Sequence, residues 1–247
     1  MARNPPDKIN ERIPKATPAP LLTPRAYNIR TLNGELSPWR LRPRTIPMPE
    51  ESKVVVKTVR NCKSNLSVED WIGFLSGTQQ LVLPGASSHV LEPQVEVHST
   101  AFLRWDFEAM EESFIKLKVT YSEGYELEPR SYPFLRTKKD RLDAQNGRII
   151  GPHDEITMAL QAGQQTTYEP FWFRTFRVLR VEIEVGPGAV QLQSFEATQV
   201  NYPLAVKASW SQAEDAHAEK IWEVSIRTIR NCLFDGYSDC PFYEQLQ

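Results

Sequence analysis

The sequence predicts a mainly β protein, an antiparallel β-sandwich of jelly-roll type, followed by one long C-terminal helix. Short runs of alternating apolar and polar residues fill residues 53–206, and one short helical pattern interrupts them. Near residue 207 the apolar period changes to that of a helix. Roughly eight to ten strands without alternating helices favour a sandwich over a parallel α/β sheet.

The strands are predicted from period-two alternation. One face of each strand is expected to be buried and the other wet, as in an antiparallel sheet. The clearest case is FIKLKVTYS (114–122), whose apolar residues alternate with Lys116, Lys118 and Thr120. The segment RVLRVEIEVGPG (177–188) repeats the pattern and ends in a Gly-Pro-Gly turn. The other runs cover residues 53–59, 79–83, 89–97, 100–107 and 189–200.

Two helices are predicted. The segment SVEDWIGFLSG has Ser67 as its N-cap and Asp70 as its third helical residue. The long helix opens with a capping box of Ser211 and Glu214 and ends near Gly236. Its apolar stripe has to pack on the sandwich or remain an exposed patch that favours association. The stripe consists of Trp222, Ser225, Ile226, Ile229 and Leu233.

These patterns divide the chain into three predicted parts. Residues 1–52 form a leader rich in proline, which fixes its own φ and keeps the preceding residue extended. We therefore expect a connector there rather than a packed element. Residues 53–206 form the β-sandwich domain, and residues 207–247 hold the long helix and a terminal segment.

The composition is that of an ordinary globular chain. Of its 247 residues 24% are charged, and the formal net charge is only −2, so no strong field indicates nucleic acid or a membrane as a partner. Residues 1–25 contain no apolar run of the length that a signal peptide or a membrane span requires, so we expect a cytoplasmic location. The sequence predicts neither a monomer nor an oligomer.

The cysteines and histidines are too scattered for a metal or redox site. Cys62, Cys232 and Cys240 form no CxxC pair, and the four histidines form no HExxH pattern. An odd, sparse set of cysteines is typical of reduced thiols. We expect no metal and no cofactor.

Two other clusters have ordinary structural interpretations. GPHDE (151–155) is typical of a turn. YEPFWFRTFR (168–177) holds five aromatic residues, which favour a core or interdomain contact, although aromatic strand faces also stack on sugars. No GxSxG, Walker or GxGxxG motif is present.

The last residues, DGYSDCPFYEQLQ (235–247), hold the pattern with the most chemistry. Asp239 and Glu244 lie five positions apart, with a cysteine, a proline and two aromatic residues between them. Two carboxylates just after a helix can divide the work of glycoside hydrolysis, one protonating a leaving group while the other holds the sugar. The same spacing is common in solvated chain ends, so spacing alone supports both interpretations.

Four segments together carry a resemblance to a known family. They are SPWRLRPRTIP, TYSEGY, YEPFWFRTFR with the following VLRVEIEVG, and NCLFDGYSDCPFYEQLQ. In sequence and order they resemble the α-L-rhamnosidases of glycoside hydrolase family 78. The resemblance implies a β-sandwich followed by the start of a six-hairpin (α/α)6 catalytic barrel, here truncated. Asp235 and Gly236 depart from the family, which has a His-containing sequence at that point.

Carried over by position, the resemblance implies that Asp239 holds the hydroxyls of rhamnose and that Glu244 is the candidate general acid. It implies hydrolysis of terminal α-L-rhamnose from glycosides with inversion, which needs a second carboxylate as base, roughly 6.5–9.5 Å from the acid. In the family this base lies far down the barrel, so we expect this chain to be inactive alone. Two alternatives stay open: a noncatalytic carbohydrate-binding or scaffold module, and a gene fragment without independent function.

Overall fold

The structure is a computed structural model, and its contacts divide the chain into two units, Met1–Ile46 and Pro47–Gln247. Residues 44–46 of the first unit are exposed and irregular, and the rest of the predicted leader up to residue 43 lies outside the described residues. No helix in the described part of the chain is long and apolar enough to cross a lipid bilayer. The described residues are 44–127, 139–212, 215 and 217–244.

The described part of the second unit is mainly β, which confirms the predicted fold class of an antiparallel β-sandwich followed by a C-terminal helix. The helices are α1 (Val68–Ser76) and α2 (Ala218–Asn231). The strands are β1 (Glu50–Lys53), β2 (Val56–Lys63), β3 (Leu81–Leu83), β4 (Ser88–Ala109), β5 (Ser113–Ser122), β6 (Tyr125–Glu126), β7 (Arg148–Ile149), β8 (His153–Leu160), β9 (Gln165–Tyr168), β10 (Arg174–Val185) and β11 (Val190–Asn201).

Nine of the strands form one antiparallel sheet that curls around β4. Its main path runs β1-β11-β4-β10-β5-β8, with β2 and β9 paired to β4 and β3 paired to β11. The first half of β4 pairs with β2 and β10, and the second half pairs with β9 and β11. The runs predicted at 89–97 and 100–107 are thus one strand, because Ser99 between them and Thr100 at the start of the second run both pair with β10.

The core confirms the predicted period-two pattern. On β5 the four apolar residues from Ile115 to Tyr121 are at most 1% exposed, and the lysines between them are partly exposed. Thr120, predicted on the wet face, is buried between its register partners Arg180 on β10 and His153 on β8. Alternation therefore predicts the burial of the apolar residues correctly. The burial of Thr120 depends on its neighbours in the sheet, which alternation does not show.

Helix α1 matches its prediction at both ends. The Ser67 hydroxyl accepts a hydrogen bond from the Asp70 N–H at 3.0 Å, and the Asp70 carboxylate accepts one from the Ser67 N–H at 3.2 Å. Gly77, at φ 81°, closes the helix in the left-handed conformation that glycine adopts without strain. The fully buried ring of Phe74 lies 6.1 Å from that of Trp105 and joins the helix to the core.

Helix α2 differs from its prediction at both ends. It begins at Ala218, later than the predicted start at Ser211, and Glu214 lies outside the described residues. It ends at Asn231, before the predicted end near Gly236. The chain after Asn231 turns back on itself and forms a bridge between Leu233 and Tyr237, which is incompatible with a continuing helix.

The predicted apolar stripe of α2 is only partly covered. Trp222 and Ile226 are partly buried in a groove against β1 and β11, and Leu233 is buried beyond the end of the helix. Ser225 is exposed, and Ile229 is 46% exposed. The helix contacts the sheet chiefly at its last turn, so part of the stripe stays in solvent.

The segment GPHDE is a turn only at its first two residues. A Cβ on Gly151 would lie 1.8 Å from the Tyr121 carbonyl oxygen, so this close approach to β5 requires glycine. From His153 the chain forms β8. The carboxylate of Asp154 accepts hydrogen bonds from Arg174 at 2.6 Å and from the Tyr121 hydroxyl at 2.9 Å.

Candidate functional site

The candidate site is built on the segment that follows α2. Hydrogen bonds at the end of the helix hold the start of this segment in place. The Asn231 amide is buried, donates to the His98 carbonyl at 2.8 Å and accepts from the Gln199 side chain at 3.1 Å. The Asn201 amide donates to the Arg230 carbonyl at 2.7 Å. These bonds fasten the last turn of α2 to β4 and β11.

Two phenylalanines hold the terminal segment itself against the sandwich. The ring of Phe234 lies 5.4 Å from that of Phe173 and 6.2 Å from that of Trp172. Phe242 is 4% exposed, and its ring lies 6.5 Å from the imidazole of His98. The aromatic segment YEPFWFRTFR thus makes the contact with the C-terminal region that the sequence favoured.

Both predicted site residues, Asp239 and Glu244, are exposed, and the structure brings them together. The Glu244 carboxylate accepts a hydrogen bond from the Asp239 N–H at 2.6 Å, and the Glu244 N–H donates to the Cys240 carbonyl at 3.3 Å. The Cys232 thiol approaches the Asp239 carbonyl at 3.8 Å. The turn is therefore held by its own backbone, and a ligand can reach both side chains. The roles implied for them remain predictions.

Residues 239–244 form what we call the terminal turn. It presents hydrogen-bond acceptors to solvent, since ionised carboxylates accept hydrogen bonds and cannot donate them. Burial raises the pKa of the Cys232 thiol, so this cysteine next to the turn is protonated at neutral pH and a poor nucleophile. No group of three or more His, Cys, Asp or Glu side chains within the described ranges is placed to hold a metal ion. Sugar hydroxyls are the kind of donor that such a turn can bind.

Three aromatic side chains are exposed on or near the terminal segment. Phe171 is 98% exposed, Tyr237 is 90% exposed and Tyr243 is 59% exposed. Phe171 immediately precedes Trp172, which packs on Phe234 of the terminal segment. Exposed rings of this kind can cover the apolar face of a sugar ring, because they supply a large rigid apolar surface.

A buried charge that no sequence pattern indicated lies in the sandwich. Glu92 is 4% exposed, forms a salt bridge with Arg180 at 3.2 Å and accepts hydrogen bonds from Tyr125 at 2.9 Å and Asn61 at 2.6 Å. Burial, and then the neighbouring Glu92 carboxylate, raise the pKa of Tyr125 far above its usual value. Period-two alternation places Glu92 on the same strand face as Gln94 and Glu96, so the sequence gives no signal of its burial.

Asn231 is a second residue whose role the sequence does not indicate. It begins the segment NCLFDG, which carries part of the family resemblance. An amide side chain on the last turn of an apolar helix can satisfy backbone groups of a neighbouring strand, as it does here for His98. Recognising this requires knowing which strand the helix end meets.

Neither a protein-family model nor a curated protein matches the chain. Among solved structures, a family 78 rhamnosidase of Bacillus sp. GL1 is similar, with 22% identity, a TM-score of 0.49, and coverage of 70% of this chain and 16% of that one. A rhamnosidase from Klebsiella oxytoca with rhamnose bound has 15% identity and a TM-score of 0.49, covering 78% of this chain and 38% of that one.

A chitosan-binding module of a chitosanase/glucanase from Paenibacillus sp. IK-5 has 17% identity and a TM-score of 0.30, with coverage of 58% of this chain and 96% of that one. The chain spans less than two-fifths of the length of either rhamnosidase.

Proposed function

We propose that the chain is the sandwich and first-helix portion of an α-L-rhamnosidase-like glycoside hydrolase, and that its terminal turn binds the sugar. Asp239 accepts hydrogen bonds from the hydroxyls of a terminal α-L-rhamnose, and Glu244 is the candidate general acid of the complete enzyme. One observation carries the proposal: the terminal segment is folded onto the sheet, yet it presents Asp239 and Glu244 side by side at the surface.

Three of the four segments that carry the family resemblance support this proposal because they contact one another or a shared neighbour; most of the fourth, SPWRLRPRTIP, lies outside the described residues. Phe173 of YEPFWFRTFR contacts Phe234 of NCLFDG. Tyr121 of TYSEGY donates to Asp154, which pairs with Arg174 of the aromatic segment. Segments far apart in the sequence therefore support one surface.

This chain alone is not expected to hydrolyse glycosides. The Oε2 atom of Glu244 accepts the Asp239 N–H, which leaves Oε1 as the atom that would carry a proton for a leaving group. Inverting hydrolysis further needs a base that activates water on the opposite face of the sugar. The proposal assigns acid catalysis to Glu244 only in a complete enzyme.

Two measurements on the 247-residue chain test the proposal. We expect no release of aryl alcohol from an aryl α-L-rhamnoside, and we expect calorimetric binding of rhamnose. Asp239→Asn should weaken that binding by about tenfold or more, because hydrogen bonds to a charged acceptor contribute about 1.5–3 kcal/mol. Glu219→Gln, which removes an exposed carboxylate from the first turn of α2, is the matched control and should bind as the parent does.

Turnover by the pure chain that disappears in Glu244→Gln would contradict the inactivity expected of this chain. Rhamnose binding that is equally strong in Asp239→Asn and in the parent would contradict the role given to Asp239.

A second candidate, a noncatalytic carbohydrate-binding module, is favoured by the exposure of Phe171 and Tyr237. In that case the rings and not the carboxylates supply the affinity, so Phe171→Ala and Tyr237→Ala weaken binding while Asp239→Asn does not. The same titrations separate the two candidates. A parent chain that binds no rhamnose would exclude this ligand for both.

A further inference from the structure

A cavity lined by three arginines lies where β4, the end of β5, β10 and α2 meet, and its residue His98 also packs against Phe242 of the terminal segment. Its volume is about 280 Å³, which is smaller than a drug-sized ligand pocket and close to the size of one sugar acid. Neither Asp239 nor Glu244 lines it. The lining residues are Glu96, Val97, His98, Glu123, Arg141, Arg177 and Arg227.

Three guanidinium groups act on one imidazole in this cavity. Burial lowers the pKa of His98; Glu123 opposes the shift, and the charges of Arg141, Arg177 and Arg227 add to it. The ring of His98 is therefore neutral at neutral pH, and the positive charges of three arginines act on it. Two of these positive charges come from different elements of the fold, since Arg177 belongs to β10 and Arg227 to α2.

The two carboxylates in the lining are engaged with other partners. Glu123 pairs with Arg141 at 3.5 Å, and Glu96 pairs with Lys57 at 3.6 Å on the exposed side of the sheet. Within the described residues, neither Arg177 nor Arg227 forms a salt bridge. Two guanidinium groups are thus left without a counter-charge around a concave surface.

Nε2 of His98 and Nε of Arg177 are buried and have no hydrogen-bond partner among the described residues. Such atoms are rare in folded proteins, because a buried donor or acceptor that is left unpaired destabilises the fold. Both atoms are closed off from solvent, so they do not face a ligand in the cavity. An oxyanion between Arg177 and Arg227 would accept hydrogen bonds from both guanidinium groups.

We propose that this cavity binds a small oxyanion, a carboxylate or phosphate group on a molecule no larger than one sugar acid. The planar fork of arginine matches both groups, and Arg177 and Arg227 each bring one such fork to the lining of the cavity. The proposal does not rest on the proposed function, because the cavity and the terminal turn share no residue.

Calorimetric titration of the full chain at low ionic strength tests the proposal with three probes: glucuronate, inorganic phosphate and uncharged glucose. We expect glucuronate or phosphate to bind and glucose not to bind, and the tighter of the two anions identifies the source of the oxyanion. Arg227→Gln should weaken that binding by about tenfold or more. Lys220→Gln removes a charge from the same helix at an exposed position outside the cavity and should leave it unchanged.

Arg177→Lys serves as a second variant, because it keeps the charge and loses the planar fork; binding should weaken while the far-UV circular dichroism stays that of the parent. The proposal is overturned if neither anion binds, if glucose binds as tightly as glucuronate, or if Arg227→Gln and Lys220→Gln weaken binding equally. Asp239→Asn should not affect anion binding, so failure here and failure of the rhamnose proposal are distinguishable.

Discussion

The β-sandwich and helix α2 bury their apolar residues to very different extents. In the sandwich, Trp105 and its neighbours in the core are 0–2% exposed. On α2, Ile221 and Val224 are 54% and 48% exposed, and the buried residues are Ala218 near the start and Asn231 at the end. The sandwich is held by apolar burial, whereas the helix is held to it largely by hydrogen bonds at one end.

This difference sets the expected stability of the two regions. Burial of apolar surface stabilises by about 25 cal/mol per Å², so a fully buried large side chain contributes more than one hydrogen bond, at about 0.5–1.5 kcal/mol net. An isolated helix of 14 residues is marginal in water. We therefore expect α2 to open locally while the sandwich stays folded.

The largest effect is expected for Trp105→Ala. The Trp105 ring is fully buried and lies 4.7 Å from Phe195, so truncation leaves a cavity and should lower the free energy of unfolding by about 3–5 kcal/mol. Urea unfolding followed by circular dichroism measures the change. Phe171→Ala removes an aromatic ring that is 98% exposed and should cost less than about 0.5 kcal/mol. Equal losses in the two variants would contradict the contrast between core and surface.

An intermediate effect is expected for Asn231→Ala, which removes the donor to the His98 carbonyl and the acceptor for Gln199. The cost should be about 1–3 kcal/mol for the contact between helix and sheet. Amide hydrogen exchange should accelerate in residues 218–231 and stay unchanged in β5 and β10. Thr228→Ala, whose hydroxyl bonds only within α2 to Val224, is the control. Acceleration in both regions would mean that the helix and the sandwich open as one unit.

The smallest effect is expected for Ile221→Ser, on the exposed side of α2. Because this side chain is 54% exposed, the free energy of unfolding should change by less than about 0.5 kcal/mol. Ile115→Ser in β5, where the residue is 0% exposed, should be strongly destabilising in the same assay. Repeating the measurement at two protein concentrations sharpens the comparison, since a loss for Ile221→Ser that grows with concentration would place Ile221 in a contact between copies.

The parts of the fold that the sequence predicted well are those decided by neighbours along the chain. The capping box of Ser67 and Asp70 and the alternation of β5 involve residues a few positions apart, and both are present as predicted. The start of α2 was predicted from the same kind of signal at Ser211, and this was wrong. A capping pattern indicates where a helix can begin, while packing decides where it does begin.

The candidate site divides in the same way. Asp239 and Glu244 are predicted from their residue types together with the family resemblance, and the structure adds that a 2.6 Å hydrogen bond from the Asp239 N–H to the Glu244 carboxylate joins them. His98, Arg177 and Arg227 come from β4, β10 and α2, and no pattern in the sequence connects them. A cavity formed by residues distant in the chain leaves no local signal.

The sequence by itself determined that this protein is a sandwich of amphipathic strands with one terminal helix, because periodicity records which side chains avoid water. Only the tertiary structure decided that Ser99 and Thr100 continue β4, that Asn231 fastens α2 to the sheet, and that three arginines surround His98. Hydrogen-bond partners and electric fields act through space between segments distant in the chain, and no local periodicity encodes them.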